Sequence, residues 1–218
     1  MSKKIDTKTK NLKMVQLSFM TALIVVLQLL AALLVRVGAV APTLSLIPIV
    51  IGGAALGCGA GAFLGFVFGL IAFICGITGL DAFTNMMFSA RPVETVCICL
   101  LKGVLCGLLG AVAYKLLSKA TKGKLFPSVL VSSVIVPVVN TAVYVFGMAV
   151  FFRDFITDNQ GNPLYTSNDG LFIVVGGVIV IIIGNFLLEL VVNAICCPAL
   201  AGILSKTKQY KSLFNSNK

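Results

Sequence analysis

The sequence predicts an all-α, polytopic membrane protein: a single membrane domain over residues 1–218, with six transmembrane helices and both termini in the cytoplasm. Three observations lead there. Of 218 residues, 59% are hydrophobic and only 11% charged, against about 25% charged in a soluble domain. Charge-free runs reach or exceed the roughly 20 residues a helix needs to cross the hydrocarbon layer. Met14–Val35, Val37–Leu80, Leu125–Phe152 and Gly170–Leu188 are such runs, and the second, at 44 residues, is too long for one crossing. Finally, thirteen of the seventeen basic residues fall on one side of a six-span layout. Transmembrane β-strands would be about 10 residues long and alternate polar with apolar. These runs do neither, so the spans are helices, which satisfy their own backbone hydrogen bonds in lipid.

Span one covers about Met14–Val35. It exceeds the apolar core of a signal peptide, and Arg36 follows it rather than a small-x-small cleavage site, so it is expected to be retained. A short outer loop, Arg36–Ser45, contains Pro42. The 44-residue run is expected to split at Gly57-Cys58-Gly59, giving a short or oblique span two, Leu46–Leu56, and span three, Ala60–Gly79. Leu80–Glu94 reads as an outer connection carrying Asp81, Asn85, Arg91 and Pro92. Span four is Thr95–Leu117, Thr121–Lys124 is a cytoplasmic turn, and span five is Leu125–Phe152. Arg153–Gly170 is a polar outer loop. Span six, Leu171–Ser205, is 35 residues long, so it must tilt, project or break, with Pro198 the place for a break.

The net charge of +10 does not point to nucleic acid. Lys3, Lys4, Lys8, Lys10 and Lys13 precede span one; Lys115, Lys119, Lys122 and Lys124 lie between spans four and five; Lys206, Lys208, Lys211 and Lys218 follow span six. Arg36, Arg91 and Arg153 fall on the other side with Asp81, Glu94, Asp154, Asp158 and Asp169. This is the positive-inside pattern, with attraction to anionic membrane lipid. The expected location is the plasma membrane of a prokaryote.

Catalytic signatures are missing. The chain has no His, no nucleophile elbow, no zincin motif and no phosphate-binding loop, so it reads as no enzyme and needs no cofactor or metal. If solute moves at the expense of ATP, a partner must hydrolyse it. The seven cysteines, including Cys97-x-Cys99 and Cys196-Cys197, lie in or beside apolar spans without metal-site spacing and read as small packing residues.

Two ionisable residues fall inside spans, Lys102 and Glu189. Charges in the membrane are costly and usually face the bundle interior. Lys102 is eight residues past Glu94, about 12 Å by helical rise, in the outer half. Glu189 is expected roughly 6–12 Å deeper. Either they pair with each other, or Lys102 faces a solute cavity. Polar residues three or four apart share a helix face: Thr95, Cys99, Lys102 and Cys106 in span four; Ser133, Pro137, Asn140 and Tyr144 in span five; Asn185, Glu189 and Asn193 in span six. Three stripes on consecutive helices suggest a cavity lined by Lys102, Asn140, Tyr144, Asn185 and Glu189, with Arg91 and Asn85 at the outer rim. Gln28 is a lone polar residue expected to pack. Gly57, Gly59, Gly61, Gly65 and Gly69, and Gly103-x-x-x-Gly107, allow close helix approach. Ser18-x-x-x-Ala22 makes a small face on span one, for internal packing or for docking a partner helix.

The stretch Leu46–Leu70, reading IPIVIGGAALGCGAGAFLGFVFGL from Ile47, together with Leu187–Leu200 (Glu189, Asn193, Pro198), the six spans and the small face of span one, resembles the substrate-binding S components of energy-coupling factor vitamin transporters. Ser18 stands where such proteins often have Ala. The resemblance implies a vitamin or precursor bound in helices four to six under outer loops. It also implies docking through the first helix, at Ser18 and Ala22, onto a membrane coupling subunit that carries two ATPase subunits. Leu46–Leu70 looks most like pantothenate-type members, and an anionic solute fits Lys102 and Arg91. The competing readings are a membrane scaffold without transport, and a stand-alone proton-coupled carrier using Glu189.

Overall fold

The computed structural model describes the backbone of residues 2–36, 43–152 and 171–207, and the side chains of 10–34, 43–81, 84–152 and 183–207. These residues form seven α-helices: α1 Ser2–Arg36, α2 Leu46–Leu56, α3 Cys58–Ile77, α4 Ala82–Ala90, α5 Pro92–Ala120, α6 Leu125–Phe151 and α7 Leu171–Lys206. Most of the outer loop after span one, the whole of Arg153–Gly170 and Lys208, Lys211 and Lys218 lie outside the described residues.

The side chains are arranged inside out relative to a soluble fold. Phe63, Phe66, Leu70, Ile74 and Ile77 of α3, Phe146 of α6 and Val191, Ile195 and Ile203 of α7 are exposed, whereas Thr95, Ser128, Ser132, Ser133, Asn140, Glu189 and Asn193 are buried. An apolar exterior is the favourable state when the solvent is lipid. The protein is a multi-pass membrane protein; among the described residues five helices are long and apolar enough to cross: those over Lys10–Leu34, Cys58–Ile77, Pro92–Ala120, Leu125–Phe151 and Ile183–Lys206.

The expected sixth span takes a different form. With 11 residues, α2 is only about 16 Å long, half a bilayer core. It is buried on every side, from Leu46 through Ala55 except Ile47, and it touches α1, α3, α5, α6 and α7. A helix surrounded by protein at membrane depth needs neither the length nor the polar face of a surface helix. Its lack of any polar side chain follows from that position. The turn into α3 is a single residue, Gly57, at φ 100°, a left-handed conformation that only glycine adopts without strain. The expected break is therefore sharper than the Gly-Cys-Gly reading.

The second departure is α4, in a segment read from the sequence as a plain connection. Asp81 caps it: Oδ1 accepts the Thr84 N–H at 3.3 Å and Oδ2 the Thr84 hydroxyl at 2.6 Å. Pro92 then begins α5 at a first-turn position, where proline is well tolerated.

The closest helix contact is α3 on α5. Gly65 and Gly103 face each other so tightly that a Cβ on either would strike the other's carbonyl oxygen, and Gly107 stands likewise against Gly61. The next pair, α5 and α6, is stitched by Ser132 Oγ donating to the Gly110 carbonyl at 2.8 Å. Pro137 inside α6 lacks the N–H that would bond the Ser133 carbonyl. All seven cysteines are free.

Candidate functional site

Because α2 begins partway down the bundle, the residues just before it sit in the interior. Ser45 donates its hydroxyl to Gln28 Oε1 at 2.7 Å, so Gln28 of α1 anchors this return. Thr43 donates its hydroxyl to Glu189 Oε1 on α7. Asn185 Nδ2, one turn earlier on α7, donates to the same oxygen at 3.0 Å. Glu189 is only 2% exposed. One turn on, Asn193 Nδ2 donates to the Glu189 carbonyl at 2.8 Å, and Cys197 Sγ lies 3.6 Å from Asn193 Oδ1. The polar stripe of α7 is thus a run of i,i+4 bonds ending in a fixed carboxylate.

Removing that acceptor strands two donors. Leaving a buried donor unsatisfied costs about 1–3 kcal/mol. Glu189→Ala is therefore expected to lower the melting temperature of the detergent-purified chain clearly, and Glu189→Gln to lower it less. Unchanged melting in both variants would reject the anchoring role.

Across the interior, Lys102 of α5 is half-buried. Its ammonium lies 4.7 Å from the centre of the Tyr144 ring and 5.9 Å from that of Phe68, within reach of cation–π attraction. Lys102 is eighteen residues before Ala120 and Glu189 seventeen before Lys206, the ends of their helices. Their charges interact electrostatically, but Lys102 and Glu189 form no ion pair among the described residues. Asn140, one turn from Tyr144 on α6, is 9% exposed, and its side-chain carbonyl oxygen has no hydrogen-bond partner.

At the α4 end, Tyr144 donates its hydroxyl to Met87 Sδ at 3.4 Å. Met87, Ile98 and Phe152 pack together there with Tyr144 and Met148. Asn85 is committed to the scaffold, its Nδ2 donating to the Gly76 carbonyl at 2.8 Å and tying α4 to the end of α3. Arg91 stands at the rim, 41% exposed, 3.9 Å from Glu94.

Two groups thus form: Thr43, Asn185 and Glu189 in one, and Lys102, Phe68 and Tyr144 in the other, with the Lys102 and Glu189 charges near enough to interact; Asn85 and Arg91 stand beside or within reach of α4. Thr43, Phe68, Asp81, Thr84 and Met87 take part without having been singled out. Phe68 looked like one apolar residue among many. Thr43 seemed to lie in a loop outside the membrane. Asp81 followed by Thr84 carries a helix-start signal that the neighbouring Pro92 obscured. Ser18 and Ala22 are exposed on α1, so they do not serve internal packing. Ser18 returns its hydroxyl to the Met14 carbonyl at 3.1 Å.

The family model described as Thiamine transporter protein (Thia_YuaJ) matches residues 14–195. No curated protein and no solved structure matches the chain. The match supports an S-component vitamin transporter rather than an enzyme, and does not support pantothenate-type specificity.

Proposed function

Because the chain belongs to the thiamine transporter protein family, we propose that it is the substrate-binding membrane subunit for uptake of thiamine, held one-to-one in the region bounded by Thr43, Phe68, Lys102, Asn140, Tyr144 and Glu189. The observation that carries this reading is the buried Glu189 carboxylate, positioned by Thr43 and Asn185 and not ion-paired with Lys102. Thiamine joins a permanently cationic thiazolium to an aminopyrimidine. A fixed carboxylate meets the charge, and the unpartnered Asn140 carbonyl oxygen accepts from the exocyclic amine. Tyr144 and Phe68 supply apolar ring surface, and α4 covers the site through Met87. Burying these groups favours a ligand that satisfies all of them at once.

In this reading both termini face the cytoplasm of a prokaryote, as the lysines favour. Transport draws on ATPases bound to a separate membrane coupling subunit, because the chain has no nucleotide motif. The open face of α1, with Ser18 and Ala22, is the docking surface.

Titration calorimetry of the detergent-purified chain tests the binding half. One thiamine per chain is expected, with pantothenate at least a hundredfold weaker. Saturable pantothenate binding without thiamine binding would refute the assignment. A proton-coupled carrier is the competing mechanism, favoured by the same buried Glu189. It predicts uptake into liposomes by this chain alone under a pH gradient, whereas the proposed mechanism predicts none without ATP and partners.

A further inference from the structure

A site for a simple cation would be expected to hold carboxylates and open ring faces. This one also holds a fixed ammonium. Lys102 projects from α5 ten residues past Pro92, about 15 Å along the helix, at the level of Phe68 and Tyr144. It is the one basic residue in the middle of a span, Lys115 being two residues from the end of span four. Glu189 does not pair with it, and Asp81 directs both its oxygens at Thr84. The ammonium instead lies over the Tyr144 ring, 4.7 Å from its centre. Two like charges about 6 Å apart, with the screening typical near a protein surface, repel by an amount on the order of a hundredfold in affinity. The same separation from an anionic group attracts by a similar factor.

Resting on the thiamine reading above, we propose that this chain prefers a phosphate ester of thiamine to thiamine itself, with Lys102 as the phosphate-binding residue and Glu189 facing the thiazolium. Such an ester carries the cation on its ring and an anion on its hydroxyethyl arm. It therefore matches a site that presents a carboxylate on α7 and an ammonium on α5 whose charges interact. It also gives the half-buried Lys102 a direct ionic partner, which an unesterified cation cannot do. Lysine suits this role as a compact point charge with three donors.

The test is calorimetry of the purified full chain with three probes: thiamine, thiamine monophosphate and inorganic phosphate. The monophosphate is expected to bind ten- to a hundredfold more tightly than thiamine, and inorganic phosphate far more weakly than either. In Lys102→Gln that ratio should collapse towards one, and in Lys102→Arg most of it should survive, with melting temperatures confirming that both variants fold. Thiamine binding as tightly as its ester in the wild type would overturn the inference while leaving the thiamine reading intact. So would a preference that persists in a folded Lys102→Gln protein. Inorganic phosphate competing as well as the ester would overturn it too, by reducing the site to a general anion pocket. If neither thiamine nor the ester binds, the thiamine reading fails and this inference with it.

Discussion

Ala22→Trp is expected to abolish uptake in cells that carry the coupling partners, while the purified variant binds its solute within a few-fold of wild type. The reason lies in how α1 is packed. Its inward face, with Met20 and Ile24, is buried against α2 and α3. Its other face is open: Met14, Val15, Phe19 and Val26 are all more than half exposed. Ser18 and Ala22 leave a shallow notch among these larger side chains. The Ser18 hydroxyl is already bonded within the helix, so the notch makes no polar demand on what fills it. Close approach of two membrane helices depends on small residues at the crossing, and an indole there holds the partner backbone away. Gln28, where α1 meets the return at Ser45, is six residues further on, about 9 Å. The solute region is thus left untouched. Uptake rates with radiolabelled solute and calorimetry on the same variant are the two readouts. Wild-type uptake by both Ala22→Trp and Ser18→Trp would show that this face does not dock.

Gly65→Ala is expected to destabilise the protein severely, although the same change at Gly59 is harmless. Both glycines lie in α3, where alanine has the better helix propensity by roughly 0.5–1 kcal/mol. At Gly59 an added methyl meets nothing within 4 Å, so the propensity gain stands alone. At Gly65 it strikes the Gly103 carbonyl oxygen and comes within 2.8 Å of the carbonyl carbon. Backbone cannot rotate away as a flexible side chain can, so α3 and α5 must separate. Overpacking of this kind costs about 1–3 kcal/mol or more, and here it strikes the contact that sets Phe68 and Lys102 side by side. Thermal melts of the two alanine variants should diverge by many degrees, with solute affinity falling only for Gly65→Ala. Equal melting temperatures would mean that the α3–α5 contact is looser than the structure has it.

Much of this was legible in the chain itself, because a bilayer imposes strong rules. Charge-free length marks membrane helices, and Gly57 marks the turn between α2 and α3. Residues three or four apart share a face, so the stripes through Lys102, Asn140 and Glu189 could be recognised as inward before any packing was known. The interior faces of α5, α6 and α7 are those stripes. What a one-dimensional pattern cannot carry is depth. Counting from loop to residue cannot say whether Lys102 and Glu189 meet, since nothing local tells how far a helix extends beyond the membrane or where a short helix begins. The eleven residues of α2 look like a cramped span in sequence. Only their burial among five other helices shows a half-length central helix whose start brings Thr43 down to Glu189. Likewise α4 was hidden behind a proline that starts the next helix rather than preventing this one. The sequence determined which side chains face inward, because that follows from helical periodicity and the expense of charge in lipid. The tertiary structure decided which of them meet, because that depends on where backbones cross, and at Gly65 and Gly103 the crossing is set by atoms the two residues lack.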